Sequence, residues 1–152
     1  VRTVRRTASS PATDGPSVAD PMRVLVHRRY SDLDPLGHVN NVVFHDYLQE
    51  ARVGLIGDLR LIQGSGRAQV VVTQEIAHRK PLWLAPEPVV IEIWVDRIGG
   101  SSYTLAYRII DEHGDVAATA SSVLAVIDEE SGPPMRIPAE LRAVLEPLTI
   151  DA

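Results

Sequence analysis

The sequence predicts an α+β domain on three observations: one amphipathic helical stretch, a series of β-branched alternating runs after it, and turn residues between those runs. There is no internal repeat and no strand–helix alternation, which disfavours a doubly wound nucleotide-binding sheet. At 152 residues the chain suits one domain with a single hydrophobic core.

Taken in order, residues 1–21 (VRTVRRTASSPATDGPSVADP) are rich in Ser, Thr, Ala, Pro and Arg and carry no apolar period. They read as a disordered tail, with the folded domain spanning 22–152. Met22 to Tyr30 alternates loosely as a first strand. SDLDPLGHVNN is dense in turn and cap residues, and Asn40 or Asn41 can cap the helical stretch after it. From Val42 to Ile56 the apolar residues recur at helical spacing, with Phe44, Leu48, Ala51 and Leu55 in one stripe. Gly57 can stop this helix, a further helical turn can cover 59–62, and the GSG at 64–66 breaks the chain.

Four strands come next, at Ala68–Ala77, Pro88–Ile98, Ser102–Asp111 and Val116–Ile127. Gly99-Gly100 and His113-Gly114 fall where hairpin turns are needed, and Leu82–Pro86 is a proline-bounded connection. A short helix over Pro138–Leu145 closes the chain.

Charge narrows the function classes. The formal net charge is −5, and residues 1–21 contribute three arginines against two aspartates, so the remainder stands at −6. An acidic body is unsuited to wrapping nucleic acid, where phosphate neutralisation dominates affinity. A small polyphosphate ligand held by a local basic cluster stays compatible. With no cysteine there is no disulfide, thiolate nucleophile or thiolate metal site, which suits a reducing compartment. No apolar run has membrane-spanning length and no signal-peptide core follows the first residues, so the expectation is a cytoplasmic protein without a membrane partner.

The segment from Tyr30 to Arg52, YSDLDPLGHVNNVVFHDYLQEAR, carries the chemistry. A loop bearing carboxylates runs straight into the start of an amphipathic helix. The first backbone N–H groups of a helix lack intrahelical partners and sit at the positive end of its dipole, where they can hold an oxyanion. A carboxylate beside an oxyanion site is what acyl transfer requires. Taken singly these residues are ordinary: Asp-Pro begins turns, and a lone histidine is usually a hydrogen-bonded structural group. Asp32, Asp34, His38, His45 and Asp46 match no compact metal-ligand spacing, so no metal is expected. Glu50 has no cation three or four residues away on the helix; it either faces a site or partner subunit or is simply solvated.

DLDPLGHVNNVVFHDYLQEAR resembles the signature of the 4-hydroxybenzoyl-CoA thioesterase family, the hotdog-fold acyl-CoA thioesterases. The likeness extends through VDRIGGSSYTLAYRI, EHGDVAATASSVLAVID and PPMRIPAEL, covering about residues 22–147. It implies a hotdog fold, a long central helix wrapped by a curved antiparallel sheet. It also implies homodimers that often pair into homotetramers, with active sites at the subunit interface. By the same resemblance Asp34 takes the catalytic carboxylate's place, as nucleophile or as general base for water. The Asn41 N–H would polarise the thioester carbonyl, and Gly37 would let the backbone turn tightly beside the substrate. His38 and Asn40 would orient Asp34 and the loop. Glu50 matches a carboxylate usual in this helix, its role open. The chain departs from the pattern at Ala85-Pro86-Glu87-Pro88, where Gly-Asp is usual.

The resemblance makes an acyl-CoA or acyl-carrier-protein thioester the partner and substrate, with no resident cofactor. A thiolate departs more readily than an alkoxide because thiols are more acidic, so one carboxylate and an oxyanion hole can suffice. Val43, Tyr47 and the strand faces are expected to line an apolar acyl pocket. For the CoA phosphates the candidates are Arg79 and Lys80, then Arg97, Ser101 and Ser102. Competing classes are an enoyl-CoA hydratase-like enzyme using Asp34 and His38, an acyl-ACP thioesterase, and a non-catalytic acyl-CoA-binding protein.

Overall fold

The computed structural model describes residues 20–56 and 67–150. The expected tail therefore lies outside the described residues except for its last two positions. The helix stop at Gly57, the turn at 59–62 and the break at 64–66 lie outside them as well.

The first strand, β1, is Met22–Val26, ending well before Tyr30. The reason is polar. The Arg28 guanidinium turns inward to the Glu87 carbonyl and the Glu112 carboxylate, each at 2.8 Å. The Asp32 carboxylate accepts the Arg29 amide at 3.0 Å. These side-chain bonds replace the ladder and wind Tyr30–Asp32 into a 3-10 turn.

The long helix α1 spans Val43–Ile56. Its expected stripe of Phe44, Leu48, Ala51 and Leu55 is fully inside the core, none more than 1% exposed. Four strands follow: β2 (Arg67–His78), β3 (Val89–Ile98), β4 (Ser102–Ile110) and β5 (Val116–Asp128). With β1 they make one sheet in the order β1-β3-β4-β5-β2, every neighbouring pair antiparallel. Register shifts at Val71/Thr73, Val95/Arg97 and Ile109/Ile110 interrupt the ladders, and such bulges bend strands.

Val24, Ile91, Ile93, Leu105, Tyr107 and Leu124 pack with the α1 stripe in a single core cluster. The short helix α2, Ala139–Leu145, adds Leu141 and Leu145 to it. Past α2, the Ile150 amide donates to the Val95 carbonyl, tying the segment after α2 to β3. A long helix against a curved antiparallel sheet is the expected α+β arrangement.

Candidate active site

The loop between β1 and α1 is a small closed hairpin. Leu33 bridges Val39, the Asp34 amide donates to the His38 carbonyl at 2.9 Å, and the Asn40 amide donates to the Asp32 carbonyl at 2.9 Å. The turn uses both the carbonyl and the carboxylate of Asp34. Gly37 N–H donates to the Asp34 carbonyl at 3.0 Å, and Leu36 N–H to Oδ1 at 2.9 Å. Gly37 sits at φ +88, a left-handed conformation that side chains resist.

The hairpin is fastened to the connection before β3. Val39 N–H donates to the Leu82 carbonyl at 2.8 Å, and His38 bridges Trp83. The indole of Trp83 lies edge-on to the His38 ring, and a Cβ on Gly37 would meet it at 3.7 Å. Trp83 thus shields the loop from one side, a role its sequence context does not reveal.

With Oδ1 held by the turn, Oδ2 is the remaining oxygen of Asp34. It lies 3.2 Å from His38 Nδ1, close enough for ion-pair attraction but not aligned as a hydrogen bond. The Asp34 side chain keeps 16% of its surface exposed, so the group is sheltered but reachable.

Asn40 is the helix cap. Its Oδ1 accepts the Val42 amide at 2.9 Å, and its carbonyl accepts the Val43 amide at 2.9 Å. The amide of Asn41 has no acceptor among the described residues, and Asn41 is exposed. One of the orphan donors expected at a helix start is therefore open to an outside oxygen.

Asp32, the other carboxylate of the loop, serves a different purpose. It is 2% exposed and accepts the Tyr47 hydroxyl at 2.8 Å together with the Arg29 amide and guanidinium. Burial pushes its pKa up, but those donors together outweigh burial and hold it below the ordinary 3.8. Asp32 thereby ties the loop to α1. Neither Asp32 nor Asp34 contacts the first amides of the helix.

The other sequence candidates are spread out. Tyr47 is fully buried with its hydroxyl given to Asp32, so it closes the core beneath the loop. Val43 is partly buried against the core. Glu50 lies nine residues beyond Asn41, about 14 Å along the helix. Arg79 is exposed beside Lys80. The Lys80 ammonium already meets Asp111 at 2.6 Å and Asp115 at 3.0 Å, which raise its pKa. Lys80 and Trp83 line a cavity of about 220 Å³ with Pro81, Leu82, Asp111, Glu112 and His113. Arg97 near the end of β3, Ser101 in the turn and Ser102 at the start of β4 lie at the far end of β3 from the loop. Ten strand residues separate the two ends, about 30 Å. The chain therefore gathers Asp34, Gly37, His38, Asn40 and Asn41 in one loop and helix start, and leaves Glu50 and the β3–β4 end apart. Among the described residues no group of three His, Cys, Asp or Glu side chains could hold a metal ion.

A model of the Thioesterase-like superfamily matches residues 29–145. This chain belongs to that superfamily. Among its relatives is the Bacillus subtilis protein named "Putative acyl-CoA thioesterase YneP", 27% identical over 112 residues, covering 71% of this chain and 80% of that one. A thioesterase from Thermus thermophilus, crystallised with coenzyme A and Zn, superposes with a TM-score of 0.72 at 31% identity, covering 86% of this chain and 95% of that one. YbaW of Escherichia coli, described as a probable thioesterase, gives 0.72 at 27% identity, covering 84% and 98%. The chain is a thioester hydrolase of hotdog fold, as the loop-and-helix signature implied. Among the described residues of this thioesterase, no helix is long and apolar enough to cross a membrane.

Proposed function

We propose that the thioesterase hydrolyses acyl-CoA to a free acid and CoA, with Asp34 acting on a carbonyl polarised by the Asn41 amide. One observation carries this reading: a single fastened loop holds both a carboxylate oxygen left over from its turn and an open N–H at the head of α1. The thioester oxygen takes the Asn41 N–H, and Asp34 Oδ2 removes a proton from water. The water oxygen bonds to the carbonyl carbon, and the resulting oxyanion stays on the amide. Collapse expels the thiolate of CoA, which recovers the proton from Asp34. In the alternative course Oδ2 itself attacks and the C–S bond breaks, releasing the CoA thiolate and leaving a mixed anhydride that water then opens to the free acid and the Asp34 carboxylate. His38 Nδ1 beside Oδ2 orients the carboxylate in either course. CoA enters as substrate and leaves as product, and no resident cofactor is assigned.

The proposal includes a homodimer formed through β2. This strand is a sheet edge, and Val70, Val71 and Val72 on it are 39%, 43% and 58% exposed. An unpaired apolar edge of that length invites another strand, and a second copy satisfies both edges at once. Such pairing would also allow the partner's β3–β4 turn, with Arg97, Ser101 and Ser102, to reach the CoA phosphates.

The test is thiol release from a panel of aliphatic, aromatic and carrier-protein thioesters. We expect turnover of CoA esters, lowered at least about 100-fold by Asp34→Asn with no change in the thermal midpoint. No thiol release across the panel would overturn the reading. Since Asp34 and His38 stand 3.2 Å apart, hydration is the second reading. Loss of the enoyl absorbance of crotonyl-CoA without thiol release would favour it.

A further inference from the structure

The inner side of β2 is unusual. Gln69, Gln74 and His78 share the inner face with Val71 and Ile76, opposite Val126, Ser122 and Ala118 of β5. A strand facing a helix across a core normally presents apolar residues there. From the helix side come Arg52, whose guanidinium is almost wholly buried, and His45, which is exposed.

These groups form a chain whose direction is dictated by its buried end. Arg52 Nη1 lies 2.5 Å from one terminal atom of the Gln74 amide, and the hydroxyl of fully buried Ser122 lies 2.8 Å from the same atom. A guanidinium can only donate, so that atom is the Gln74 oxygen. The amide nitrogen then faces His45 Nδ1 at 2.6 Å. An amide nitrogen also can only donate, so Nδ1 accepts and the ring proton sits on Nε2. No partner takes the Nε2–H among the described residues.

A solvated histidine needs no buried arginine to choose its tautomer. Burying a guanidinium is costly, and here its bonds hold a surface imidazole in one state. The position of His45 gives that state a use. It follows Asn41 by four residues, so it lies on the same side of the helix start, about 6 Å along the axis from the open amide. Helical side chains lean toward the N-terminus, which carries the imidazole back over the turn of Asn41.

We propose that His45 is a specificity-determining residue of this thioesterase: its Nε2–H, held outward by Arg52 and Gln74, takes a hydrogen-bond acceptor on the acyl chain. The inference rests on the thioester reading above and adds a substrate class, acyl groups carrying an oxo or hydroxyl oxygen several carbons beyond the thioester. Arg52 and Gln74 act through His45 and are positioning residues.

The test compares 5-oxohexanoyl-CoA with 5-methylhexanoyl-CoA, which matches its shape but offers no acceptor. The wild type should favour the oxo ester in kcat/KM by about tenfold, the worth of one well-placed hydrogen bond. His45→Phe should remove that preference by slowing the oxo ester alone, and His45→Gln, which keeps a donor, should retain most of it. Long-range 1H–15N spectra of the wild type should report His45 with its proton on Nε2, and Gln74→Met should lose that fixed signature. Equal turnover of the two esters by the wild type overturns the assignment while leaving thioester hydrolysis intact. So does an equal loss on both esters in His45→Phe, or a proton found on Nδ1. If both esters are inert while other thioesters of the panel are hydrolysed, this assignment falls alone; if the whole panel is inert, the thioester reading falls with it.

Discussion

β3 and β2 belong to the same sheet and turn one face toward the same helix, yet they are made of different material. On β3 the inner residues Val89, Ile91, Ile93 and Val95 are completely buried. On β2, two residues longer, nothing is buried, and the inner face carries Gln69, Gln74 and His78. Position explains the contrast. β3 is paired on both sides and roofed by α1, so its side chains have nowhere to go but the core. β2 is paired only to β5, and its open side leaves room for polar groups that reach α1 one hydrogen bond at a time. The centre of the sheet holds the core, and its β2 edge stays open and carries polar groups.

The largest expected effect lies at the centre. Ile93→Ala should cost about 2–5 kcal/mol in urea unfolding, because a cavity opens among rigid neighbours. A loss as large for Val70→Ala on β2, measured on dilute protomer, would break the comparison.

An intermediate effect is expected where the loop is fastened to the helix. Tyr47→Phe removes a buried donor from Asp32 and should cost about 1 kcal/mol at neutral pH. The pH dependence sharpens the claim. The folded-state pKa of Asp32 is held below 3.8, so its contribution is fully present above that value and is lost as pH falls through the folded pKa. Urea midpoints should therefore fall in acid below about pH 4, where carboxylates of unfolded chains take up protons. Tyr47→Phe should flatten that fall, since its Asp32 has less to lose. An unchanged acid limb would show that Asp32 is not the group responsible.

The smallest effect on protomer stability is expected on the β2 edge. Val72, 58% exposed at the register shift, should accept lysine with less than about 0.5 kcal/mol lost from the protomer. The same change should abolish the dimer proposed through β2, read by sedimentation equilibrium against the wild type, because an inserted charge blocks edge pairing. A Val72→Lys protein that stays dimeric would place the interface elsewhere.

The positions of the elements are largely legible in the sequence because they follow from local periodicity. The stripe of Phe44, Leu48, Ala51 and Leu55 lies where its spacing puts it, and β3 to β5 begin and end within a residue or so of the alternating runs. β1 stops short of its alternating run because Arg28 alternates like a strand residue but bonds sideways to Glu87 and Glu112. The two aspartates of the loop look equivalent in SDLDP. Only folding makes Asp32 a buried brace and leaves Asp34 with a reachable oxygen.

By itself the sequence determined where α1 and strands β2 to β5 would form, and that a turn bearing carboxylates would lead into α1. Those features depend on residues within a few positions of one another, where backbone geometry sets the spacing. Tertiary structure alone decided which way Gln74 points, which nitrogen of His45 carries a proton, and that Trp83 comes to lie beside Gly37. Each depends on groups tens of residues apart in the chain, and hydrogen bonds acquire a direction only when both ends are held in place.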